Sequence, residues 1–145
     1  MTDLSSLPPQ ERLAAVVTEW KTEAETLTAA DMRKLFVHAW PDGRGSVDDH
    51  SRDLLTMLVW IAPVRDVETY LVGTLTIFRA ANDDRGIRWT LDETAGAAEA
   101  KAGGTTLFRA TVAAADVLGH FTGDGSNEVL VDPRGLTAVE IVPPS

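Results

Sequence analysis

Gly73-Thr74-Leu75-Thr76-Ile77-Phe78-Arg79-Ala80 is the stretch on which the reading of this chain turns. Its residues alternate, and Leu75, Ile77 and Arg79 share one parity, so a permanent cation continues an otherwise apolar strand face. A strand that only filled a core would not carry a guanidinium there without an anion to meet it. Downstream of Gly73 the chain keeps this texture of short β-branched runs. Thr74 to Ala80, Gly86 to Trp89, Thr105 to Val112, Glu128 to Val131 and Thr137 to Val142 are the expected strands. Ala113 to Phe121 reads as a short helix or turn.

Upstream of Gly73 the periodicity is helical. Pro8-Pro9 after Ser6 opens a helix whose apolar positions are Leu13, Val16, Val17, Trp20, Ala24 and Leu27. Thr28 with Asp31 caps a second helix, carrying Met32, Leu35, Phe36 and Ala39 and stopped by Pro41-Asp42-Gly43. Ser46 with Asp49 signals a third, with a stripe of Val47, Leu54, Leu58 and Ile61 ending at Pro63. Val64 to Leu71 reads as one or two further helical turns. Helices first and strands afterwards give an α+β class, with N-terminal helices packed on a mainly antiparallel sheet. The expectation is a single domain, 1–145, helical over 7–71 and sheet over 73–142. A dinucleotide-binding Rossmann unit is excluded, because no glycine-rich turn follows a first strand into a helix.

Composition narrows the function classes. The chain has 145 residues and no cysteine, so disulfides and thiolate zinc sites are out and a cytoplasmic setting is the simplest expectation. The N-terminus has neither a basic nor an apolar leader region. Leu54 to Val64, the longest apolar run, is too short to span a bilayer. A formal net charge of -9 argues against bulk binding to nucleic-acid phosphates. Asp48-Asp49-His50 lies at a helix start with no second cluster to complete a metal site, so no metal is expected. His38 and His120 have no cysteine or histidine partner at catalytic spacing. Trp20, Trp40 and Trp60 fall in helical segments and read as core or interface.

Four residues stand out in order along the strands: Arg79, the pair Trp89-Thr90, and Glu128, which opens its run behind the turn Thr122-Gly123-Asp124-Gly125. Arg79 offers a planar fork of donors suited to phosphate. Glu128 offers a charge that can stabilise a cationic sugar, as carboxylates do in glycoside hydrolysis. Thr90 with Glu93 forms a capping box for the alanine-rich helix that ends at Gly103-Gly104.

From Leu75 to Val142 the chain resembles the ADP-ribosyltransferase fold in its small bacterial and phage-type branch. That family places an Arg on its first strand, then Ser-Trp-Thr running into a helix, then a Glu opening a late strand. Here the motifs read Phe78-Arg79-Ala80, Arg88-Trp89-Thr90 leading into Leu91-Asp92-Glu93, and Asn127-Glu128-Val129 before Asp132-Pro133. The resemblance implies a split antiparallel sheet and mono-ADP-ribosyl transfer from NAD to an acceptor. Glu128 would be catalytic. Arg79 and Thr90 would bind NAD, with Trp89 supporting the site from below, and both Arg79 and Glu128 would enter one cleft. Small members of this kind act as toxins or as phage factors that modify the host.

The motif order also leaves other readings open: an NAD glycohydrolase, or a binding module that keeps the fold without chemistry. Arg88 stands where the family has Ser. Ser126 stands where arginine-modifying members carry Glu or Gln, which argues against arginine as acceptor. Ala97, Ala98 and Ala100 occupy a helix that often supplies an aromatic.

Overall fold

The structure, a computed structural model, describes residues 6–23, 26–44, 47–48, 51–67, 71–123 and 127–143. The chain divides into two compact units, Met1–Arg65 and Asp66–Ser145. The class is α+β, with α1, α2 and α3 in the first unit and an antiparallel sheet with α4 in the second.

In the first unit a 3-10 turn, Pro9–Glu11, feeds α1 (Arg12–Glu23), followed by α2 (Ala29–Gly43) and α3 (Ser51–Ile61). Each helix buries most of the stripe its spacing predicts: Leu13, Val16 and Val17, then Met32, Leu35, Phe36 and Ala39, then Leu54, Leu58 and Ile61. Trp20 is only half-buried, Leu27 lies beyond the end of α1, and Val47 is buried ahead of α3. The capping box of α2 forms as expected. Thr28 Oγ1 accepts from Asp31 N at 3.1 Å, and Thr28 N donates to Asp31 Oδ2 at 3.1 Å. Two expectations need correction. Pro41 does not stop α2, which runs on to Gly43. In the last turn the amide that proline lacks removes a single hydrogen bond. Val64 to Leu71 does not begin as a helix, because Val64–Arg65 is a two-residue strand, β1. Ala24, Ser46 and Asp49 lie outside the described residues.

The second unit holds β2 (Thr74–Ala81), β3 (Arg88–Thr90), α4 (Glu93–Gly103), β4 (Thr106–Ala113), β5 (Val117–Phe121), β6 (Glu128–Val131) and β7 (Thr137–Ile141). Their order across the sheet is β5-β6-β3-β2-β4-β7, and every registered neighbour is antiparallel. β5 is a strand where the sequence suggested a helix or turn. Only Ala114–Asp116, just before it, forms a 3-10 turn. β2 and β4 pair along eight residues each, whereas β2 and β3 meet at one registered pair, Phe78↔Thr90. That pair joins β2 to β3 within one sheet.

One face carries Ile77, Trp89, Ala110, Val112, Val129 and Val131. The other receives α4, whose Ala100 packs with Phe78 and Leu107. Gly96 lets α4 come this close: a β-carbon there would lie 3.2 Å from Leu107, 3.3 Å from Phe78 and 3.4 Å from Thr90. The helix is capped by Asp92, whose carboxylate accepts from Ala95 N at 3.2 Å, and not by the expected Thr90–Glu93 box. Gly104 ends it in the left-handed region at φ 64.

Candidate functional site

The strand register decides which candidate residues can meet. Glu128 pairs with Thr90 across β6 and β3, and Thr90 pairs with Phe78 across β3 and β2. Directly opposed residues point to the same side. Glu128, Thr90 and Phe78 therefore share the α4 face, and Arg88, two residues from Thr90, joins them. Arg79 is one residue on from Phe78 and pairs with Phe108, which packs on the opposite cluster. Arg79 and Glu128 thus lie on near-adjacent strands but on opposite faces. The single cleft expected to receive both side chains is not formed. A one-residue step along a strand reverses the direction of the side chain, and it is Phe78, not Arg79, that registers with Thr90.

Arg79 is buried, at 7 % exposure. Its Nε donates to Asp83 O at 3.0 Å, its Nη1 to Arg88 O at 3.2 Å and its Nη2 to Asp83 Oδ1 at 3.4 Å. These acceptors belong to the loop between β2 and β3 and to the start of β3. Here the guanidinium acts as a pin. It fixes the loop that delivers Arg88 to the sheet.

Trp89 is buried beneath β3, and its indole Nε1 donates to Gly86 O at 2.9 Å, which ties the same loop down from the core side. Thr90 Oγ1 donates to Asn127 O at 3.1 Å and accepts from Asp92 N at 3.1 Å. Its single proton therefore holds β3 to the entry of β6.

Glu128 retains 13 % side-chain exposure. Arg88 Nη1 lies 3.9 Å from Glu128 Oε1, while Arg88 Nη2 donates to Glu99 Oε1 on α4 at 2.8 Å. Arg88, at 24 % exposure, is suspended between two carboxylates on the α4 face. An arginine so placed can meet an anion, and the glutamate beside it can meet a cation. Arg88 thus stands on the glutamate's face, beside its carboxylate.

Two further residues at this junction carried no motif. His120 Nε2 lies 2.7 Å from Asn127 Oδ1, and Asn127 O also accepts Leu91 N at 2.8 Å. Sequence reasoning sought a cysteine or histidine beside His120, and its partner is an amide. Asp66 holds the chain just after β5, since its carboxylate accepts Thr122 N at 2.8 Å and Gly123 N at 3.0 Å. Among the described residues no group of three or more His, Cys, Asp or Glu is placed to hold a metal ion, and no helix is long and apolar enough to cross a membrane. No family model, no curated protein and no solved structure matches the chain, so the likeness to ADP-ribosyltransferases rests on Arg79, Trp89-Thr90 and Glu128 themselves.

Proposed function

We propose that the protein cleaves the nicotinamide–ribose bond of NAD and passes the ADP-ribose to an acceptor, with the site on the α4 face of β3 and β6. The observation that carries this reading is the direct pairing of Thr90 with Glu128, with Arg88 on the same face. When the glycosidic bond breaks, its electron pair leaves with neutral nicotinamide and the ribose carbon becomes cationic. The Glu128 carboxylate stabilises that charge and accepts a hydrogen bond from a ribose hydroxyl. Arg88 meets the diphosphate as a fork of donors. Arg79 holds the loop that presents Arg88, and Trp89 supports it from the core. A nucleophile of the acceptor then bonds to the ribose carbon and gives up its proton. With water in that role the reaction is NAD hydrolysis. A cytosolic setting, where NAD and macromolecular acceptors coexist, suits a chain without cysteine.

A second reading, a binding module without chemistry, draws on the commitment of Arg79 to Asp83 and Arg88 and on the cation standing beside Glu128. Incubation with labelled NAD and a cell lysate, beside a Glu128→Gln control, separates the two. Label transfer or nicotinamide release that depends on Glu128 supports the enzyme. Neither product from the wild type leaves the binding module.

A further inference from the structure

We propose that His120 is a positioning residue for the Glu128 carboxylate, acting through Asn127; this rests on the reading of Glu128 as the group that meets the cationic sugar. His120 belongs to β5 and is 8 % exposed. An amide oxygen only accepts, so with Asn127 Oδ1 at 2.7 Å the proton sits on Nε2 and the tautomer is fixed. Nδ1 is then an acceptor. It is sealed from water and has no hydrogen-bond partner among the described residues. An acceptor stranded in this way costs stability that an aliphatic side chain of similar size would not. The fold carries that cost and gains one thing from the ring, an N–H aimed at Asn127.

Asn127 is the residue immediately before Glu128, and it is held from two sides. Its side chain is tied to β5 by His120, and its carbonyl is tied to the exit of β3 by Thr90 Oγ1 at 3.1 Å and Leu91 N at 2.8 Å. His120 pairs with Val129 and shares its face, and Asn127 has the same parity, so the imidazole works from the side away from the carboxylate. With the Asn127 peptide fixed, the Cα–Cβ direction of Glu128 is fixed with it. Without the ring, only the main-chain ties remain, and β6 can shift at its first residue. Transition-state stabilisation is sensitive to such shifts, because it depends on where the charge stands when the sugar becomes cationic.

The test is steady-state nicotinamide release by wild type, Glu128→Gln, His120→Leu and His120→Gln, with a circular-dichroism melt of each. Glutamine can reproduce the N–H to Asn127 Oδ1, and leucine cannot. His120→Leu is expected to lower kcat about 100-fold, the loss that a misplacement of about 1 Å brings. The KM for NAD should stay within about threefold, because ground-state binding is not what is lost. His120→Gln is expected to restore at least about tenfold of that kcat. Wild-type kcat in His120→Leu, or equal losses in both variants, overturns the inference. If His120→Leu does not fold, His120→Ala takes its place: a kcat well below that of His120→Gln supports the inference, and equal kcat in the two variants overturns it. A wild type that releases no nicotinamide overturns the enzyme reading and this inference together. A wild type that is active through Glu128 but indifferent to His120 overturns this inference only.

Discussion

Arg79 and Gly86 approach so closely that a β-carbon on Gly86 would stand 2.1 Å from Arg79 Cζ and 2.2 Å from each terminal nitrogen. It is the guanidinium, and not a positive φ, that glycine accommodates here, and a side chain at position 86 would have to push it off its bonds to Asp83 O and Arg88 O. Gly86→Ala should therefore destabilise the protein by about 1–3 kcal/mol, the usual cost of overpacking a filled site. Chemical denaturation measures it. Arg79→Ala in the same chain should relieve much of the strain, so the two substitutions will be clearly non-additive. Additive effects would mean that the contact is not the cause.

Arg79→Ala alone leaves Asp83 O and Arg88 O without the donors that now serve them. The expected loss is about 1–3 kcal/mol, as for other polar groups deprived of a partner. Arg79→Lys should recover little of it, because one ammonium cannot reproduce a planar fork to two carbonyls. A stability unchanged by Arg79→Ala would argue that the arginine serves a ligand and not the loop.

These two residues show where the sequence was legible and where it was not. Parity within one strand can be read from a run such as Leu75, Ile77 and Arg79, and the structure keeps it: Ile77 lies in the cluster on the face that Arg79 continues. β6 begins at Glu128 and ends at Val131 as read, and the Thr28–Asp31 cap forms. Register between strands is set by distant contacts and leaves no local mark, so nothing near Arg79 announces that Phe78 will face Thr90. The sequence does not mark β5 as a strand, because Gly119-His120 interrupts its apolar run and its register shifts between Val117 and Gly119. α4 is capped by the carboxylate of Asp92 and not by Thr90, whose hydroxyl donates to Asn127 O instead.

Acid should weaken the fold through its hydrogen-bonded aspartates. Asp31 is held below the ordinary aspartate value of 3.8, first by the backbone N–H of Thr28 and then by its hydroxyl. Asp132 is held below 3.8 by the side chain of Arg134, whose own pKa is raised in return. A carboxylate lowered in the folded state adds stability that is present above its unfolded pKa and is lost as pH falls through the folded one. The Asp31 contribution should therefore be intact near neutrality and disappear below 3.8. Asp31→Asn cannot titrate, so its denaturation free energy should fall less steeply than wild type on the acid side. Parallel pH profiles would remove Asp31 from the explanation.

Thr90 joins β3 to both α4 and β6 with one hydroxyl. Thr90→Val keeps the shape but leaves Asp92 N without its acceptor and Asn127 O with one donor fewer. A loss of about 1–2 kcal/mol is expected, with Thr90→Ser close to wild type. Amide exchange at Asp92 should speed up in Thr90→Val and not in Thr90→Ser. Equal exchange in all three proteins would show that the hydroxyl is not holding this junction.

The final prediction distinguishes the two arginines by what they do to NAD. Arg88 shares a face with Glu128 and lies 3.9 Å from it, whereas Arg79 is turned to the other face and spent on the loop. If the diphosphate is met on the α4 face, Arg88→Ala should weaken NAD binding by about 10- to 100-fold, the range for a lost hydrogen bond to a charged group. It should also remove most of the NAD-dependent rise in melting temperature. Glu128→Gln removes a charge that matters once the sugar is cationic, so it should keep that rise while cleavage falls by orders of magnitude. Arg79→Ala should lower the melting temperature even without NAD, because the loop it pins is loosened, and should reduce the ligand-induced increment less than Arg88→Ala does. The decisive measurement is that increment in all three variants. An increment lost in Arg79→Ala and kept in Arg88→Ala would return the phosphate to the opposite face and remove the site from β3 and β6.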